Sequence, residues 1–479
     1  MSDLRKITVA HGNGIGPEIM DVALDILKAA KVPLEIEEVK IGEEVYKAGN
    51  LAGIEDKTWE SLHRTKVFLK APITTPQGGG YRSLNVTVRK SLGLYANVRP
   101  CVSYYPYLDT KHPKMDLVII RENEEDLYSG IEYRQTQEVY QSLKLLSYRG
   151  SSKIIKYAFE YAKQNNRKKV TCFTKDNIMK ISDGMFHNRF EEISKEYPDI
   201  ESEHWIVDIG MAKVADSPEQ FDVIVLPNLY GDILSDITAQ ITGSVGLAGS
   251  SNIGGEYAMF EAIHGSAPRR AGQNLANPSG LLLAAVQMLV HLNFNKEATM
   301  IQNAWLKTLE DGIHTYDIYK EGVSHEKVGT KEFGKAVIKR FGEKPKNLNP
   351  VSYQKTKSQD LKTLESPKEK KELVGVDVYI DARVDKMEDF VKKVKSKETK
   401  QLKLNSVSSR GLNFWPGAEP LSDKSDHWRC RFSSPDTCVD PQEIINLLSQ
   451  FLKENMDLIK TENLYNFNGK PGYSQASKN

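Results

Sequence analysis

Hydrophobic and polar positions follow two alternating patterns over residues 5–342. Short runs rich in β-branched residues predict strands, whereas longer segments with apolar residues three or four positions apart predict helices. The predicted strands are Lys6–Ala10, Leu117–Arg121, Lys169–Thr174 and Phe221–Pro227, and the predicted helices are Pro17–Ala30, Ser151–Gln164, Asp183–Glu196 and Pro278–Leu292. Because strands and helices alternate, the pattern predicts an α/β architecture with a largely covered sheet.

The pattern changes after about Phe341. Residues 344–371 contain eight lysines and three prolines but almost no apolar periodicity, which is typical of a solvated linker. The residues beyond it read in the order strand, helix, strand, strand, helix and strand. These segments are Val374–Ile380, Met387–Lys395, Gln401–Val407, His427–Phe432, Pro441–Glu454 and Leu458–Tyr465. A βαββαβ order predicts a C-terminal α+β domain of the ferredoxin-like type.

Composition and charge exclude one class of partner. The chain has 479 residues, of which 39% are hydrophobic and 27% are charged, as in soluble globular proteins. Its 65 Lys and Arg residues nearly balance its 64 Asp and Glu residues, so the net charge is +1. A protein that binds nucleic acid through bulk charge normally has a basic excess. We therefore expect no nucleic-acid partner.

The cysteines and the apolar segments bear on the cellular location. Cys101, Cys172, Cys430 and Cys438 form no C-x-x-C pair and no zinc spacing, so we interpret them as reduced thiols of an intracellular protein. The chain enters a strand-like run almost at once, which leaves no room for a targeting segment. The most apolar stretch, Gly280–Val290, is shorter than the about 20 residues that span a bilayer. We expect a cytoplasmic protein without a membrane partner.

A glycine-rich stretch precedes a predicted helix. Gly78–Gly80 come directly before a segment whose buried stripe includes Leu84 and Val88, and Ser83 and Arg89 lie off that stripe. Bare backbone at a helix N-terminus favours an anion, because free N–H groups and the helix dipole attract negative charge. A glycine loop before an ordinary amphipathic helix explains the same pattern, so both interpretations stay open.

A pair of carboxylates follows a buried strand. Asp232 and Asp236 are four residues apart, so both project from one face of a helix that follows Val223–Pro227. Oxygen donors at the carboxyl end of a strand suit Mg²⁺ or Mn²⁺, and Asp208 is a candidate third ligand. A solvated acidic helix face is the alternative, and the spacing alone favours neither.

Several cations lie at the ends of predicted elements. Arg89, Arg99, Arg121 and Lys175 are the residues concerned, and Arg121 and Lys175 both end strand-like runs. Arginines pair with carboxylates in a bidentate geometry, so this set favours a ligand that carries several carboxylates. Each residue taken alone is compatible with a surface position.

Five stretches together resemble the isocitrate/isopropylmalate dehydrogenase family of metal-dependent, β-decarboxylating enzymes. They are Thr74–Asn85, Arg121–Glu132, Lys175–Lys180, Asn228–Asp236 and His264–Pro268, in the order the family has them. The C-terminal segments Val374–Val378, His427–Phe432 and Gly469–Tyr473 are similar to those of the longer, Thermus-type bacterial isocitrate dehydrogenases. The Ser83-x-Asn85 pair distinguishes this branch from the isopropylmalate enzymes.

The resemblance implies a fold and an activity. The expected fold is α/β, with an isopropylmalate dehydrogenase-like large domain (1–121 and 245–342) and small domain (122–244) around a covered β-sheet. A Lys-rich linker (343–371) and the C-terminal α+β ferredoxin-like domain (372–479) follow. The expected reaction is the NADP-dependent oxidative decarboxylation of isocitrate in the tricarboxylic acid cycle. Homoisocitrate or 3-isopropylmalate as the substrate, or NAD as the cofactor, are the alternatives.

The resemblance also implies residue roles. Ser83, Asn85, Arg89, Arg99 and Arg121 are expected to bind the tricarboxylate substrate. Asp208, Asp232 and Asp236 are expected to bind Mg²⁺ or Mn²⁺, and Tyr128 and Lys175 to transfer protons. In the family, Lys175 and Asp208 reach the site from the partner subunit, which implies a homodimer with shared active sites.

The cofactor residues are likewise implied by the resemblance. They are Thr74, His264, Gly265, Ser266, Ala267, Pro268, Arg269, Arg270, Asn277, Tyr316 and Lys320. Members that use NAD tend to place an acidic residue where Arg269 stands, so the adjacent Arg269 and Arg270 favour the additional phosphate of NADP.

A different function is conceivable for the C-terminal domain. Trp428 and Phe432 alternate with Arg429 and Arg431 on a predicted strand, and aromatic residues on ferredoxin-like sheets often stack on RNA bases. A domain for packing or assembly is the alternative that we favour.

Overall fold

A computed structural model describes residues 4–74, 83–354, 365–434 and 438–475. Its strands are β1 (Arg5–Ala10), β2 (Leu34–Glu38), β3 (Val67–Lys70), β4 (Ala96–Val102), β5 (Asp116–Glu122), β6 (Glu132–Arg134), β7 (Tyr140–Ser142), β8 (Lys169–Thr174), β9 (Glu201–Ile206), β10 (Val223–Leu226), β11 (Gly249–Ile253), β12 (Ala258–Ala262), β13 (Ile313–His314), β14 (Glu326–Lys327), β15 (Lys371–Asp381), β16 (Lys403–Ser409), β17 (Leu412–Trp415), β18 (His427–Ser433), β19 (Asp457–Phe467) and β20 (Lys470–Pro471).

The α-helices cover much of the remaining described chain. They are α1 (Gly16–Ala29), α2 (Glu43–Lys47), α3 (Asp56–Thr65), α4 (Leu84–Ser91), α5 (Tyr148–Gln164), α6 (Ser182–Ser194), α7 (Val207–Asp216), α8 (Asn228–Ile241), α9 (Ser279–His291), α10 (Asn295–Glu310), α11 (Thr330–Lys339), α12 (Met387–Lys395) and α13 (Pro441–Lys453). The glycines 78–80 lie outside the described residues.

The chain divides into two compact units. Unit 1 comprises Met1–Tyr128, Leu145–Ile178 and Asp183–Leu364, and unit 2 comprises Ser129–Lys144, Met179–Ser182 and Glu365–Asn479. The further division of the first 342 residues into a large and a small domain stays a prediction.

A ten-stranded sheet forms the centre of unit 1. Its strand order is β2-β1-β3-β12-β11-β4-β5-β10-β8-β9, with antiparallel pairs only from β12 to β5. Strand β10, Val223–Leu226, is apolar along its whole length and fully buried, because helices pack on the sheet. The predicted α/β architecture with a covered sheet is confirmed.

The predicted elements of unit 1 agree with the structure within a few residues. The strand Lys169–Thr174 has the predicted bounds. Helix α5 begins three residues before its predicted start, because the Ser147 side chain accepts a hydrogen bond from the Gly150 N–H at 2.9 Å and caps the helix there.

The apolar helix α9 lies in the largest core cluster of unit 1. Leu281, Leu282, Ala285 and Leu289 are fully buried, and the cluster also contains Trp305 of α10. Burial on several sides accounts for the apolar character of this helix. In the part of the chain that the structure describes, no helix is long and apolar enough to cross a membrane.

The predicted linker stays a prediction, but its first residues make contacts in the structure. The Glu310 carboxylate accepts backbone N–H groups from residues 346–348 at 2.9–3.2 Å, and Asn303 exchanges hydrogen bonds of 2.9 Å with the backbone of Val351. The start of the lysine-rich segment is therefore held along α10. The composition of the segment did not indicate these contacts, because backbone groups make most of them. Residues 355–364 of the segment lie outside the described part.

Unit 2 contains a six-stranded sheet with the order β17-β16-β18-β15-β19-β20. The predicted βαββαβ order is confirmed as β15, α12, β16, β18, α13 and β19, and neighbouring strands are antiparallel. Strand β17 is an additional strand that the pattern did not predict, because four residues are too few to show an alternation of hydrophobic and polar positions.

The RNA interpretation of this domain loses its supporting observation. Trp428 and Phe432 are fully buried in the core of unit 2, where their rings lie against Phe390, Phe414 and Phe451 at centroid distances of 5.2–5.9 Å. Rings that are buried in this way have no free face for a base.

Candidate active site

Three arginines converge at one edge of the central sheet in unit 1. Arg99 lies on β4, Arg121 lies near the end of β5, and Arg89 lies on α4. In the antiparallel register of β4 and β5, Asn97 lies opposite Arg121. Arg99 is two residues from Asn97, so its side chain lies on the same face of the sheet, close to that of Arg121. All three guanidinium groups are buried, with side-chain exposures of 9% or less.

Arg121 is fixed by polar groups at the start of α8. Its Nε and Nη2 donate to Oδ1 of Asn228 at 3.0 and 2.7 Å, and its Nη1 donates to Asp232. The guanidinium carbon also lies 4.8 Å from the centroid of the Tyr128 ring. Burial, together with the positive charges of Arg99 and Arg89, lowers the pKa of Arg121 to about 10. The group is still charged at neutral pH.

Arg89 belongs to a buried ion-pair network. Its Nη2 donates to Oε1 of Glu261 at 2.8 Å, and Lys70 donates to Oε2 of the same carboxylate at 2.7 Å. Asn252 donates to Glu261 as well, at 3.0 Å. Burial opposes ionisation of Glu261, but the charges of Lys70 and Arg89 hold its pKa well below its usual range. The carboxylate is therefore charged and fixes the direction of Arg89.

The sequence analysis missed Glu261 and Lys70. A signal was present, since each is the single charged residue in a short apolar strand, β12 or β3. A charge in such a strand needs a buried partner. The partner itself was not visible, because these strands are about 190 residues apart in sequence and adjacent in the sheet.

Arg99 completes the cluster. Its Nε donates to Oδ1 of Asn97 at 2.5 Å, and its Nη1 donates to the Ser235 hydroxyl. Its guanidinium lies 3.7 Å from the Asp232 carboxylate and 3.9 Å from the Asp236 carboxylate. The four cationic side chains Lys70, Arg89, Arg99 and Arg121 thus lie against three carboxylates, those of Glu261, Asp232 and Asp236. The surplus of positive charge favours a ligand with several negative charges.

The carboxylates of α8 differ in charge and exposure. Burial opposes ionisation of Asp232, but Arg121 and Arg99 hold its pKa below the usual range. Asp236, whose side chain is 71% exposed, has a raised pKa because of partial burial and because of the negative charge of Asp232. A divalent cation would relieve this repulsion, and both residues offer the oxygen donors that Mg²⁺ and Mn²⁺ prefer. Asp232 is therefore not part of a merely solvated face, and the pair fits a metal.

Tyr128 lies against the same carboxylate. It belongs to a 3₁₀ turn, Leu127–Ser129, and its hydroxyl donates to Oδ2 of Asp232. Burial and the neighbouring charge of Asp232 raise the pKa of Tyr128, so the phenol keeps its proton at neutral pH. The arrangement places a proton donor beside the arginine cluster.

Ser83 and Asn85 lie at the start of α4. Ser83 is the N-cap residue, and its side chain makes no capping hydrogen bond to the helix. Asn85 Oδ1 is buried and has no hydrogen-bond partner among the described residues. Asn85 lines a pocket of about 90 Å³ together with Arg89 and Arg99. Unused polar groups next to two guanidinium groups are suited to a polar, carboxylated ligand.

Lys175 and Asp208 form a separate pair. The Nζ of Lys175, which follows β8, donates to Oδ2 of Asp208 on α7 at 2.9 Å, and this bond lowers the pKa of Asp208. Within the described ranges, no hydrogen bond or ion pair links either residue to Asp232 or Asp236. Among the described residues, the carboxylate oxygens of Asp208, Asp232 and Asp236 do not all lie within 4.8 Å of one another, so a single chain does not bring the three predicted metal ligands together.

A second pocket, of about 440 Å³, contains most of the predicted cofactor residues. It is lined by His264, Gly265, Ala267, Arg270, Asn277 and Tyr316. The guanidinium carbon of Arg270 lies 4.8 Å from the Tyr316 ring centroid. His264 has a buried Nε2 without a partner in the described chain, and burial lowers its pKa, so the neutral imidazole is available to a ligand. These features fit a nucleotide.

The remaining predicted cofactor residues lie around this pocket or outside it. Thr74 and Ser266 share a hydrogen bond of 2.7 Å between their hydroxyl groups. Pro268 and Arg269 belong to the exposed 3₁₀ turn Pro268–Arg270, and Arg269 does not line the pocket. Lys320 forms an ion pair of 2.9 Å with Asp109 instead.

Asp317 is a pocket residue that the sequence analysis missed. Its Oδ2 accepts hydrogen bonds from Ser244 at 2.6 Å and Asn277 at 3.0 Å, and its Oδ1 accepts one from Thr315 at 2.5 Å. Its position beside Tyr316 was the available signal. These bonds fix the amide of Asn277 at the pocket wall.

Comparisons with known proteins agree with this geometry. A family model described as isocitrate/isopropylmalate dehydrogenase matches residues 6–337, and a model of the bacterial isocitrate dehydrogenase C-terminal domain matches residues 371–479. The NADP isocitrate dehydrogenase of Rickettsia bellii is 55% identical to this chain over 480 residues, which cover 99% of both chains. That of Thermus thermophilus is 41% identical, over 99% of this chain and 96% of the other. A crystal structure of a Thermus thermophilus protein has a TM-score of 0.93 at 40% identity, and the match covers 99% of this chain and 97% of that chain.

Proposed function

The chain belongs to the isocitrate/isopropylmalate dehydrogenase family, and we propose on that basis that it oxidises and decarboxylates isocitrate to 2-oxoglutarate and CO₂ with reduction of NADP. Full-length similarity to curated NADP isocitrate dehydrogenases supports both the reaction and the cofactor. The observation in the structure that carries the proposal is the buried cluster of Arg89, Arg99 and Arg121 against Asp232 and Tyr128.

Ser83 and Asn85 supply the proposed selectivity for isocitrate. Isocitrate, homoisocitrate and 3-isopropylmalate share the malate portion that we assign to the arginines. The three acids differ in the substituent that would reach the start of α4. We assign to a polar substituent the buried Oδ1 of Asn85, which has no partner among the described residues, and the N-cap hydroxyl of Ser83. A hydrocarbon there would leave these groups unsatisfied, which costs about 1–3 kcal/mol for each group.

We expect kcat/KM to be highest with isocitrate in steady-state assays that compare the three acids with Mg²⁺ and NADP. Ser83→Ala should lower kcat/KM for isocitrate about 10- to 100-fold, because a hydrogen bond to a charged group contributes about 1.5–3 kcal/mol. The matched control is Ser91→Ala at the exposed end of the same helix, which should leave kcat/KM unchanged. A higher kcat/KM for 3-isopropylmalate than for isocitrate would contradict the proposed substrate.

The chain's own residues bind the substrate and move the protons. Arg89, Arg99 and Arg121 orient the substrate carboxylates. Lys175, paired with the Asp208 carboxylate, is assigned to removal of the substrate's hydroxyl proton. Tyr128, which keeps its proton, is assigned to protonation of the carbon from which CO₂ departs.

Asp208, Asp232 and Asp236 would hold the divalent ion, which we propose to be Mg²⁺ or Mn²⁺. When it is bound, the ion supplies Lewis-acid stabilisation of negative charge on substrate oxygen atoms. The lowered pKa values of Asp208 and Asp232 keep these carboxylates charged at neutral pH.

We propose a homodimer with shared sites, and the position of the Lys175–Asp208 pair supports it. In the part of the chain that the structure describes, no hydrogen bond or ion pair connects this pair to the arginine cluster, so we propose that it serves the cluster of a second copy. Exposed apolar side chains close in sequence to the Lys175–Asp208 pair and to Asp232 support an interface between subunits. They are Ile178, Ile209 and Ile233, which are 46–70% exposed.

NADP is proposed to bind in the pocket that contains His264 and Tyr316, where it would accept the hydride. We assign the 2′-phosphate to Arg270, which lines the pocket above the Tyr316 ring. Arg269 is the neighbouring cation that is not among the lining residues.

Arg270→Ala should raise KM for NADP about 10-fold or more and leave KM for NAD nearly unchanged, since charge-assisted hydrogen bonds contribute about 1.5–3 kcal/mol. Arg269→Ala is the matched control, because it removes the same charge at the adjacent position, and a smaller effect is expected. Steady-state kinetics with NADP and with NAD measure the effect of each of the two variants on KM. A larger effect of Arg269→Ala would move the phosphate assignment to that residue.

A further inference from the structure

Asp176, His187 and His204 form a cluster in unit 1 that the proposed reaction does not use. Asp176 follows β8, His187 lies on α6, and His204 lies on β9. One carboxylate oxygen and one nitrogen of each ring lie within 4.8 Å of one another. Three consecutive elements of the chain thus bring one oxygen donor and two nitrogen donors close to one another.

Each histidine also has a second polar partner. Nδ1 of His187 lies 2.7 Å from Oδ2 of Asp176, and its Nε2 lies 3.5 Å from the Glu191 carboxylate. Nε2 of His204 lies 2.8 Å from the Thr174 hydroxyl. Metal-binding histidines commonly use one ring nitrogen for the ion while a carboxylate or another polar group orients the second nitrogen. Both rings have this arrangement.

The two rings lie together. Their centroids are 3.5 Å apart with an interplanar angle of 15°. Burial and the proximity of His187 lower the pKa of His204, so its ring is neutral at pH 7 and its nitrogen lone pair is available. Two imidazoles and one carboxylate suit a transition metal of the Zn²⁺ class better than Mg²⁺, which prefers oxygen donors alone.

We propose that Asp176, His187 and His204 bind a transition-metal ion of the Zn²⁺ class, with solvent as the fourth ligand. Bond lengths of about 2.0–2.2 Å around a tetrahedral ion require donor atoms about 3.4 Å apart. The 2.7 Å contact of Asp176 with His187 therefore opens when its shared proton is replaced by the ion, and His204 moves toward it. All three residues are only partly buried, which leaves their side chains room to rotate toward the ion.

The site differs from the proposed catalytic metal site in position and chemistry. Among the described residues, none of its three side chains is bonded to Lys175, Asp208, Asp232 or Asp236. Asp176 directly follows Lys175, and β9 leads from His204 into α7, which carries Asp208. A bound ion would therefore join the two segments that carry the Lys175–Asp208 pair.

Co²⁺ is the probe that tests this site, because its visible absorption reports nitrogen ligands and low coordination number. The full chain is treated with EDTA, dialysed and titrated with Co²⁺. We expect one equivalent with the absorption of a nitrogen-ligated, four-coordinate ion, and we expect Zn²⁺ to displace it. His204→Ala should weaken Co²⁺ binding about 100-fold or more, and Glu191→Gln about 10- to 100-fold through its effect on His187.

Two comparisons make the result decisive. Asp232→Asn removes a ligand of the other metal site and should leave the Co²⁺ absorption unchanged. Glu191→Gln alters a side chain that is 63% exposed, so it tests the site without disturbing the core. Circular dichroism spectra in EDTA show whether the Asp232→Asn and Glu191→Gln variants are folded like the wild type. The proposal is overturned if wild type shows no nitrogen-ligated absorption, if His204→Ala binds as tightly as wild type, or if only Asp232→Asn abolishes the signal.

Discussion

Tyr128→Phe should lower kcat about 10²- to 10⁴-fold, which is the usual contribution of a positioned general acid. The change removes the phenolic proton and leaves the ring against Arg121, so the arginine cluster keeps its position. Because Arg121 still holds Asp232, KM for isocitrate should change only a few-fold. Steady-state kinetics with saturating NADP and Mg²⁺ give both constants.

Tyr107→Phe is the matched control for this prediction. It removes a phenol that accepts a hydrogen bond from Asn347 at 2.6 Å, away from the cluster, and it should leave kcat unchanged. A Tyr128→Phe enzyme with normal kcat and a raised KM would show instead that the hydroxyl serves binding. The assignment of Tyr128 as the general acid would then be wrong.

Two inactive variants should restore activity to each other if the active site is shared. Tyr128→Phe and Lys175→Ala should each reduce kcat by orders of magnitude, since each lacks one proton-transfer group. In a heterodimer, one site combines intact Tyr128 of the second variant with intact Lys175 of the first. Random pairing makes about half of the dimers heterodimers, each with one intact site, so about a quarter of the wild-type activity should return.

The measurement is the activity of a refolded or co-expressed mixture, with heterodimers counted by differently tagged chains. Lys175→Ala mixed with Asp208→Asn is the matched control, because both residues reach the same site from one chain and every site then lacks one of them. This mixture should stay inactive. Heterodimers of the first mixture that remain inactive would mean that each chain builds its own site.

Much of the fold was predictable because local patterns encode it. The apolar run that ends at Arg121 predicted a buried strand, and the structure has that strand as Asp116–Glu122. The four-residue spacing of Asp232 and Asp236 predicted one face of a helix, and both lie on α8. In such cases the residues that decide the structure are neighbours in sequence.

The candidate site was predictable only in part. The three arginines were identified as cations at element ends, and they do converge. Their partners Glu261 and Lys70 were missed, because a charged residue in an apolar strand does not indicate which distant strand neutralises it. Arg270 was predicted as a cofactor residue, but its contact with the Tyr316 ring at the proposed nucleotide pocket was not predicted.

The sequence by itself determined the predicted elements and the βαββαβ order of unit 2, since periodicity is a property of short segments, whereas the candidate site residues were proposed from the resemblance to a known family. Only the tertiary structure decided which charges meet. The strand order β3-β12-β11-β4-β5 brings Lys70, Glu261, Asn252, Arg99 and Arg121 together from five separate strands. Such convergence depends on long-range pairing, where the burial of a charge is favourable only once its partner has arrived.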